Sequence, residues 1–283
     1  MDLSVITVNT NDREQILGQL ATMENGCTGL NYEQIISDNG SVDGSVAEIK
    51  MLFPAVKMVE NGKNIGFAAA NNSAVQLAQG DFVLFLNPDM RLRPDSLKIL
   101  IDWLRVRSQV GILSCKLTDE QNNFKASASP RHWPGIIDQI IILLKLPHFF
   151  PGLIKRYLFV DFDPQCEQKV DSVRGSFMLV RQELIQKLGF GFDPRYFIWF
   201  EDVDLCREAY RHGYEVWYTP TASCVDYVGQ NFKRLPSGLK QRWFTASMVK
   251  YFKKWEPWYK WMWISLFRPV GVLLTDISEF FFK

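Results

Sequence analysis

Along the first third of the chain, short runs of β-branched and aromatic residues alternate with stretches of helical periodicity. Residues 3–8 read as a first strand, 12–23 as a helix, 34–37 as a strand, 45–53 as a helix, 56–59 as a strand, 66–78 as a helix of small residues and 82–86 as an apolar strand. This alternation predicts an α/β fold with a mainly parallel central sheet flanked by helices, and ligands bound beyond the carboxyl ends of the strands. Asn9-Thr10, Asp38-Asn39-Gly40 and Asn87-Pro88-Asp89 stand at those ends and are expected to converge on one edge. Pro94 is expected to open a helix reaching Arg107, with Leu97, Leu100, Ile101 and Leu104 at core spacing. Over residues 130–165 the alternation lapses into Pro-, Phe- and Ile-rich sequence, for which buried packing is the leading expectation, beside a helical excursion over an acceptor or a membrane-facing element. Strand pattern resumes at 170–180, followed by helices at 182–188 and 201–212, the last stopped by Gly213.

With 283 residues, 47% hydrophobic and 22% charged, the chain can bury a substantial core, which excludes intrinsic disorder. Its five cysteines are scattered without a CxxC pair, which argues against a zinc ribbon or a disulfide framework and for a reducing, cytoplasmic setting. The first residues read as a core strand rather than a secretory signal. The net charge of +1 conceals an asymmetry: residues 231–268 hold 9 Lys and Arg against 1 acidic residue, whereas residues 1–230 hold 22 against 28. Trp255, Trp258, Tyr259, Trp261 and Trp263 lie among the lysines of this tail, a mixture suited to a lipid headgroup layer and equally to an aromatic helical cap on the core. No apolar run approaches the roughly 20 residues needed to span a bilayer. The tail has no RNA-binding motif, and nucleic acid is not an expected partner.

Four polar segments have the residue types for chemistry. Asn87-Pro88-Asp89 could be only a turn, but a carboxylate at a strand end can also contribute to the hard oxygen shell of Mg²⁺ or Mn²⁺, with phosphate oxygens and waters completing it. Asp38-Asn39-Gly40-Ser41-Val42-Asp43-Gly44-Ser45 could bond a base or ribose, or merely cap a helix. Asn61-Gly62-Lys63-Asn64-Ile65-Gly66-Phe67 leads into the small-residue helix, where backbone could approach a ligand. Glu201-Asp202-Val203-Asp204 opens a helix behind the aromatic run 196–200. Acidic residues suit a helix N-terminus, and a carboxylate against an apolar wall also suits a general base.

In order and spacing these segments, with Val5-Ile6-Thr7-Val8-Asn9 and Gly175-Ser176-Phe177-Met178-Leu179-Val180, resemble family 2 inverting glycosyltransferases of the GT-A fold, especially bacterial rhamnosyltransferases. The resemblance covers about residues 1–230. It implies a catalytic domain with a nucleotide-sugar half at 1–117 and an acceptor and catalytic-base half at 118–230, followed by a helical basic, aromatic extension at 231–283. It implies Asp202 as catalytic base and Asp89 as ligand of Mg²⁺ or Mn²⁺. The nucleotide-sugar set it implies is Val8, Asn9, Asp38, Asn39, Ser41, Asp43, Asn64, Gly66, Phe67, Asn71, Asn87, Gly175, Ser176 and Glu201. Asn87 replaces the first Asp of the family's metal motif, and Asp226, within residues 223–229, stands where relatives carry a histidine, making it a second candidate metal ligand.

The expected activity is transfer of a single sugar, with L-rhamnose from dTDP-rhamnose a candidate, from a nucleotide-diphosphate donor to a lipid-linked or surface-glycan acceptor. Peripheral association with the inner face of the cytoplasmic membrane through 231–283 is a further expectation. A sugar-nucleotide or glycan-binding module without turnover is the alternative from another class. A processive synthase is a weaker one, since Arg242-Trp243 lacks the glutamine expected at Leu239.

Overall fold

Every residue of β1 (Leu3–Asn9) is buried, as a strand covered on both faces requires. In the computed structural model, which describes residues 1–227 and 235–281, β1 lies inside a nine-stranded sheet. It pairs in parallel with β2 (Tyr32–Asp38) and β4 (Phe82–Leu86), and β2 pairs in parallel with β3 (Lys57–Glu60). Helices α1 (Arg13–Leu20), α2 (Met23–Gly26), α3 (Ser45–Leu52) and α4 (Phe67–Val75) fall between these strands.

Beyond β4 the sheet becomes mixed. After β5 (Met90–Leu92), α5 (Ser96–Arg105) and β6 (Val110–Thr118) come α6 (Ile136–Leu143), α7 (Pro151–Ile154), β7 (Gln168–Lys169), β8 (Phe177–Arg181), α8 (Gln182–Leu188), α9 (Glu201–Arg211) and β9 (Glu215–Asp226). The spatial order is β3-β2-β1-β4-β8-β6-β9-β5, with β7 on β9. Strand β8 runs antiparallel between β4 and β6, β6 and β9 are parallel, and β5 is antiparallel to β9. This is the GT-A fold expected from the resemblance, with its parallel character concentrated in the first half.

Two local expectations need correction. Asp95 adopts a left-handed backbone (φ 57°), so α5 begins at Ser96 and not at Pro94. Residues 170–176 are not a continuous strand: Ser172 makes a single bridge with Arg131, and the ladder starts only at Phe177.

Helices α10 (Ser237–Trp255) and α11 (Trp258–Phe281) follow β9. The expected boundary at 230/231 lies outside the described residues. Met248, Tyr251 and Phe252 of α10 and Ile264 of α11 are buried in the same apolar cluster as Phe85, Phe192 and Leu205. The Ile-rich part of the 130–165 region forms α6, which packs on α11 so closely that a Cβ at Gly271 would stand 2.6 Å from Leu143. Among the described residues no helix is long and apolar enough to cross a membrane.

Candidate active site

The ends of β1 and β2 are stitched together by side chains. Asn9 donates from Nδ2 to Asp38 Oδ1 (2.9 Å), Ser41 Oγ (3.0 Å) and Ser45 Oγ (2.8 Å). The other Asp38 oxygen accepts the N–H groups of Gly40 (3.0 Å) and Ser41 (2.9 Å), while Asp43 accepts from Ser45 and from the Arg13 N–H. Asn39 donates to Asn64 Oδ1 at 3.3 Å, and Asn64 Oδ1 accepts the Gly66 N–H at 2.9 Å. Gly66 has φ 92°, and a Cβ there would meet the Phe197 carbonyl at 2.6 Å. Only glycine lets the backbone pass this close to the aromatic run.

Val8, Asn39, Asn64, Gly66, Phe67, Asn87 and Asp89 line a single cavity of about 300 Å³, within the size range of small-ligand sites. Thr10, Asn11, Asp12, Pro88, Phe197, Ile198, Leu235 and Trp243 complete its wall. The three strand-end clusters therefore do converge. Asn9, Asp38, Ser41 and Asp43 stand behind the wall as its hydrogen-bonded support, and Asn71 is buried, with its Nδ2 on the Phe67 carbonyl at 2.9 Å.

The Asn87-Pro88-Asp89 backbone is held from two sides. Gln19 Nε2 donates to the Asn87 carbonyl at 2.6 Å, and the Asn87 N–H donates to the Ser176 carbonyl at 2.9 Å. Asp89, 5% exposed, is tied to β9 by the Tyr227 N–H on its carbonyl at 3.0 Å, and in the β5–β9 ladder its neighbour Met90 faces Asp226. Oxygen donors alone at this corner suit a hard divalent cation. Asp89, with Asn87 beside it, offers oxygen donors that could form part of such a cation's shell, and among the described residues no group of three His, Cys, Asp or Glu could hold a metal unaided. Asp226 does not line the cavity, and its carboxylate lies 3.6 Å from Lys125 Nζ. Val228 and Gly229 of its segment lie outside the described residues.

On the other side of Phe67 stands Asp202. The Gly175 N–H donates to its Oδ2 at 3.1 Å, and the Val203 N–H to its Oδ1 at 2.8 Å. A Cβ at Gly175 would lie 3.3 Å from Asp202 Cβ and 3.7 Å from the Phe67 ring. The loop 174–176 thus joins the two functional ends: Ser176 accepts from Asn87 and the adjoining Gly175 donates to Asp202. Burial pushes the Asp202 carboxyl above its ordinary value, against the pull of the Gly175 and Val203 N–H groups and the Arg174 charge.

The neighbouring acids differ in their surroundings. Glu201 is 5% exposed, and burial followed by the Asp202 charge drives its carboxyl well above the usual range. It does not line the cavity, and among the described residues its Oε2 has no hydrogen-bond partner. Asp204 is fully buried and accepts from Lys254 Nζ (2.6 Å), Trp255 Nε1 (2.7 Å) and Tyr196 OH (3.1 Å). Lys254 also meets Glu208 at 2.8 Å and Asp193 at 3.1 Å, so one cation of α10 gathers three carboxylates beneath the base helix.

The turn into α9 is strained. Trp199 (φ 64°) and Phe200 (φ 67°) both adopt a left-handed backbone, which costs bulky residues on the order of 1–3 kcal/mol each. Phe200 is clamped by Phe244 and Tyr251 of α10, with ring centroids 5.4 Å away in both cases. Sequence reasoning named the aromatic run only as an apolar wall and missed Phe197, Ile198 and Trp243 as cavity residues. The Phe197–Trp243 ring contact of 4.9 Å joins segments more than forty positions apart, which no local pattern reveals.

A family model described as glycosyl transferase family 2 matches residues 4–189, from β1 to the end of α8 and short of Asp202. The chain is 29% identical over 216 residues to N-acetylglucosaminyl-diphospho-decaprenol L-rhamnosyltransferase of Mycobacterium tuberculosis, covering 72% of this chain and 69% of that protein. It is 29% identical over 198 residues to rhamnosyltransferase WbbL of Escherichia coli, covering 68% and 71%. In structure it resembles mannosyltransferase PcManGT from Pyrobaculum calidifontis, solved in complex with GDP-Man and Mn²⁺, with a TM-score of 0.61 at 18% identity over 98% of this chain and 73% of that one.

Proposed function

Because the chain belongs to glycosyl transferase family 2, we propose that it transfers L-rhamnose from dTDP-rhamnose to N-acetylglucosamine carried on a polyprenyl diphosphate, the acceptor type in the name of its mycobacterial relative. The observation that carries this reading is the single loop 174–176, which ties Asp202 to the Asn87–Asp89 corner through Gly175 and Ser176. The donor's nucleotide and diphosphate occupy the cavity between Asn39, Asn64 and Asp89, and Asp202 faces the sugar from beyond Phe67. The acceptor hydroxyl gives its proton to Asp202 as its oxygen attacks the anomeric carbon. The bond from that carbon to the diphosphate breaks, and the anomeric centre inverts. A carboxyl whose affinity for protons is raised by burial accepts that proton with a stronger driving force than an exposed aspartate. Asp89, with Asn87 beside it, would hold Mg²⁺ or Mn²⁺, which when bound would supply positive charge to the departing diphosphate.

Incubating the full chain with dTDP-rhamnose and a synthetic GlcNAc-diphospho-lipid tests this reading by mass spectrometry of the product. Transfer is expected to stop in EDTA and return with Mn²⁺ or Mg²⁺. Asp202→Asn should lower kcat about 10³-fold while donor binding persists; undiminished turnover by this variant would remove Asp202 as the base.

A peripheral contact with the bilayer that carries such an acceptor is favoured by α11. Tyr259, Trp263, Leu266, Val270, Leu273 and Ile277 recur every three or four residues and are each 44–59% exposed, a continuous apolar stripe of the kind that lies in a membrane interface. Leu266→Glu with Leu273→Glu should abolish flotation with anionic liposomes, and unchanged flotation would sink the contact.

A further inference from the structure

Outside the cavity, the Arg174 charge acts on Asp202, and Arg131 lies across a backbone bridge from Ser172, two residues before Arg174. Arg174 directly precedes Gly175, whose N–H holds the Asp202 carboxylate. Arg131 is fixed by an antiparallel bridge to Ser172: the Arg131 N–H donates to the Ser172 carbonyl, the Ser172 N–H returns a bond to the Arg131 carbonyl, both at 3.1 Å, and Ser172 Oγ adds a third at 3.0 Å. Arg131 Nη1 donates to the Leu158 carbonyl at 3.2 Å, and the adjacent His132 N–H donates to the Tyr157 carbonyl at 3.2 Å, so the 131–132 and 157–158 backbones lie side by side. Burial, and then the Arg174 charge, pull the Arg131 guanidinium below its ordinary value. Burial pushes the Tyr157 hydroxyl up, and the charges felt there are those of Arg131, Asp202, Asp138 and Arg174.

Of the surrounding carboxylates, Asp202 accepts the Gly175 and Val203 N–H groups and feels the Arg174 charge without a salt bridge to it among the described residues, and the others have partners of their own. Asp171 accepts the Trp133 N–H at 3.0 Å and pairs with His132 Nδ1 at 2.9 Å. Asp138 accepts the Gly135 N–H and Gln139 Nε2, both at 2.8 Å. Among the described residues no salt bridge ties either Arg131 or Arg174 to a carboxylate. Two like charges held together, one of them partly buried, are unfavourable unless an anion joins them, and planar guanidinium forks match phosphate oxygens in pairs.

We propose that Arg131 and Arg174, with Tyr157 beside Arg131, clamp the diphosphate of the acceptor and so present the sugar next to that diphosphate to Asp202. This rests on the reading above that the acceptor is diphosphate-linked. The donor diphosphate is a separate matter, because neither arginine lines the cavity that ends at Asp89. The path for the lipid is continuous with the clamp: α6, which carries Asp138, packs on α11, the helix with the exposed apolar stripe.

The test has one arm independent of catalysis. Binding of citronellyl diphosphate to the full chain in EDTA, which removes metal-dependent binding at the donor end, is measured by calorimetry. Arg131→Gln and Arg174→Gln should each weaken it at least tenfold, and Arg174→Lys should recover part of the loss. Arg174 is exposed, so its variants should keep the wild-type melting temperature and remain informative if Arg131→Gln does not fold. In the kinetic arm, both Gln variants should raise KM for the diphosphate-linked acceptor at least tenfold, with a clearly smaller change in KM for a GlcNAc alkyl glycoside that lacks the diphosphate and none in the donor KM. Unchanged citronellyl diphosphate affinity in Arg174→Gln, or a rise in donor KM alone, overturns the clamp. If wild type transfers no rhamnose yet binds citronellyl diphosphate in an arginine-dependent way, the clamp stands and the donor and acceptor assignment fails.

Discussion

Asn9 and Asp38, at the ends of two adjacent parallel strands, bond each other and two serine hydroxyls, so the polar groups behind the cavity are cross-linked before any ligand arrives, although Asn9 Oδ1 has no hydrogen-bond partner among the described residues. Around Asp202 burial acts on charge instead. Among the described residues, Glu201 has a buried oxygen without a hydrogen-bond partner and no carboxylate forms a salt bridge with Arg131 or Arg174, while burial drives the Asp202 carboxyl up. On the proposed reading the donor end is a cross-linked shelf, whereas the base end holds charge whose counterpart would be the substrate. A shelf of that kind contributes to stability and binding together; the base end gives up stability for reactivity.

The contrast can be attacked from either side. The larger effect is expected on the shelf, where Asn9→Ala leaves the buried Asp38 Oδ1 and two hydroxyls without their common donor and should cost about 2 kcal/mol in urea unfolding, with a weaker donor KM. A loss below about 0.5 kcal/mol would mean that the shelf is not the stabilising side. The smaller effect is expected at the base end from Glu201→Gln. Because the folded carboxyl takes up its proton more readily than the unfolded one, its contribution to stability is complete below the ordinary glutamate value and is lost as pH rises through the folded one. Wild type and variant should therefore unfold alike at about pH 4 and diverge upward from there, the variant becoming relatively more stable. Parallel stability profiles for the two proteins would show that Glu201 is not held neutral.

The same contrast governs what could be read from the sequence. The parallel half was legible because each strand is short, apolar and followed at once by its own polar loop, so Asn9, Asp38, Asn64 and Asp89 announced their positions by register alone. The GT-A fold and the family followed from those motifs taken together. The base end is assembled from residues far apart in sequence: Arg131 meets Ser172, Phe197 meets Trp243, and Asp204 meets Lys254. Nothing in a local pattern says that α10 will clamp the strained turn at Trp199 and Phe200. The expected strand over 170–180 shows the same limit, since its apolar pattern concealed a break that leaves Gly175 free to reach Asp202. Asp226 pairs in the β5–β9 ladder with Met90, the neighbour of Asp89, but sequence could not show Lys125 beside it.

Lys254 has a consequence for building hybrids. With one ammonium gathering Asp193, Asp204 and Glu208 under the helix that presents Asp202, α10 is inherited with the catalytic core, and a chimera joined at residue 230 would separate the acids from their cation. The workable seam lies after Trp255, at Glu256-Pro257. A helix grafted there in place of α11 would still need a glycine at the position of Gly271, to slide past Leu143, and an acid at that of Asp276, to meet Arg242.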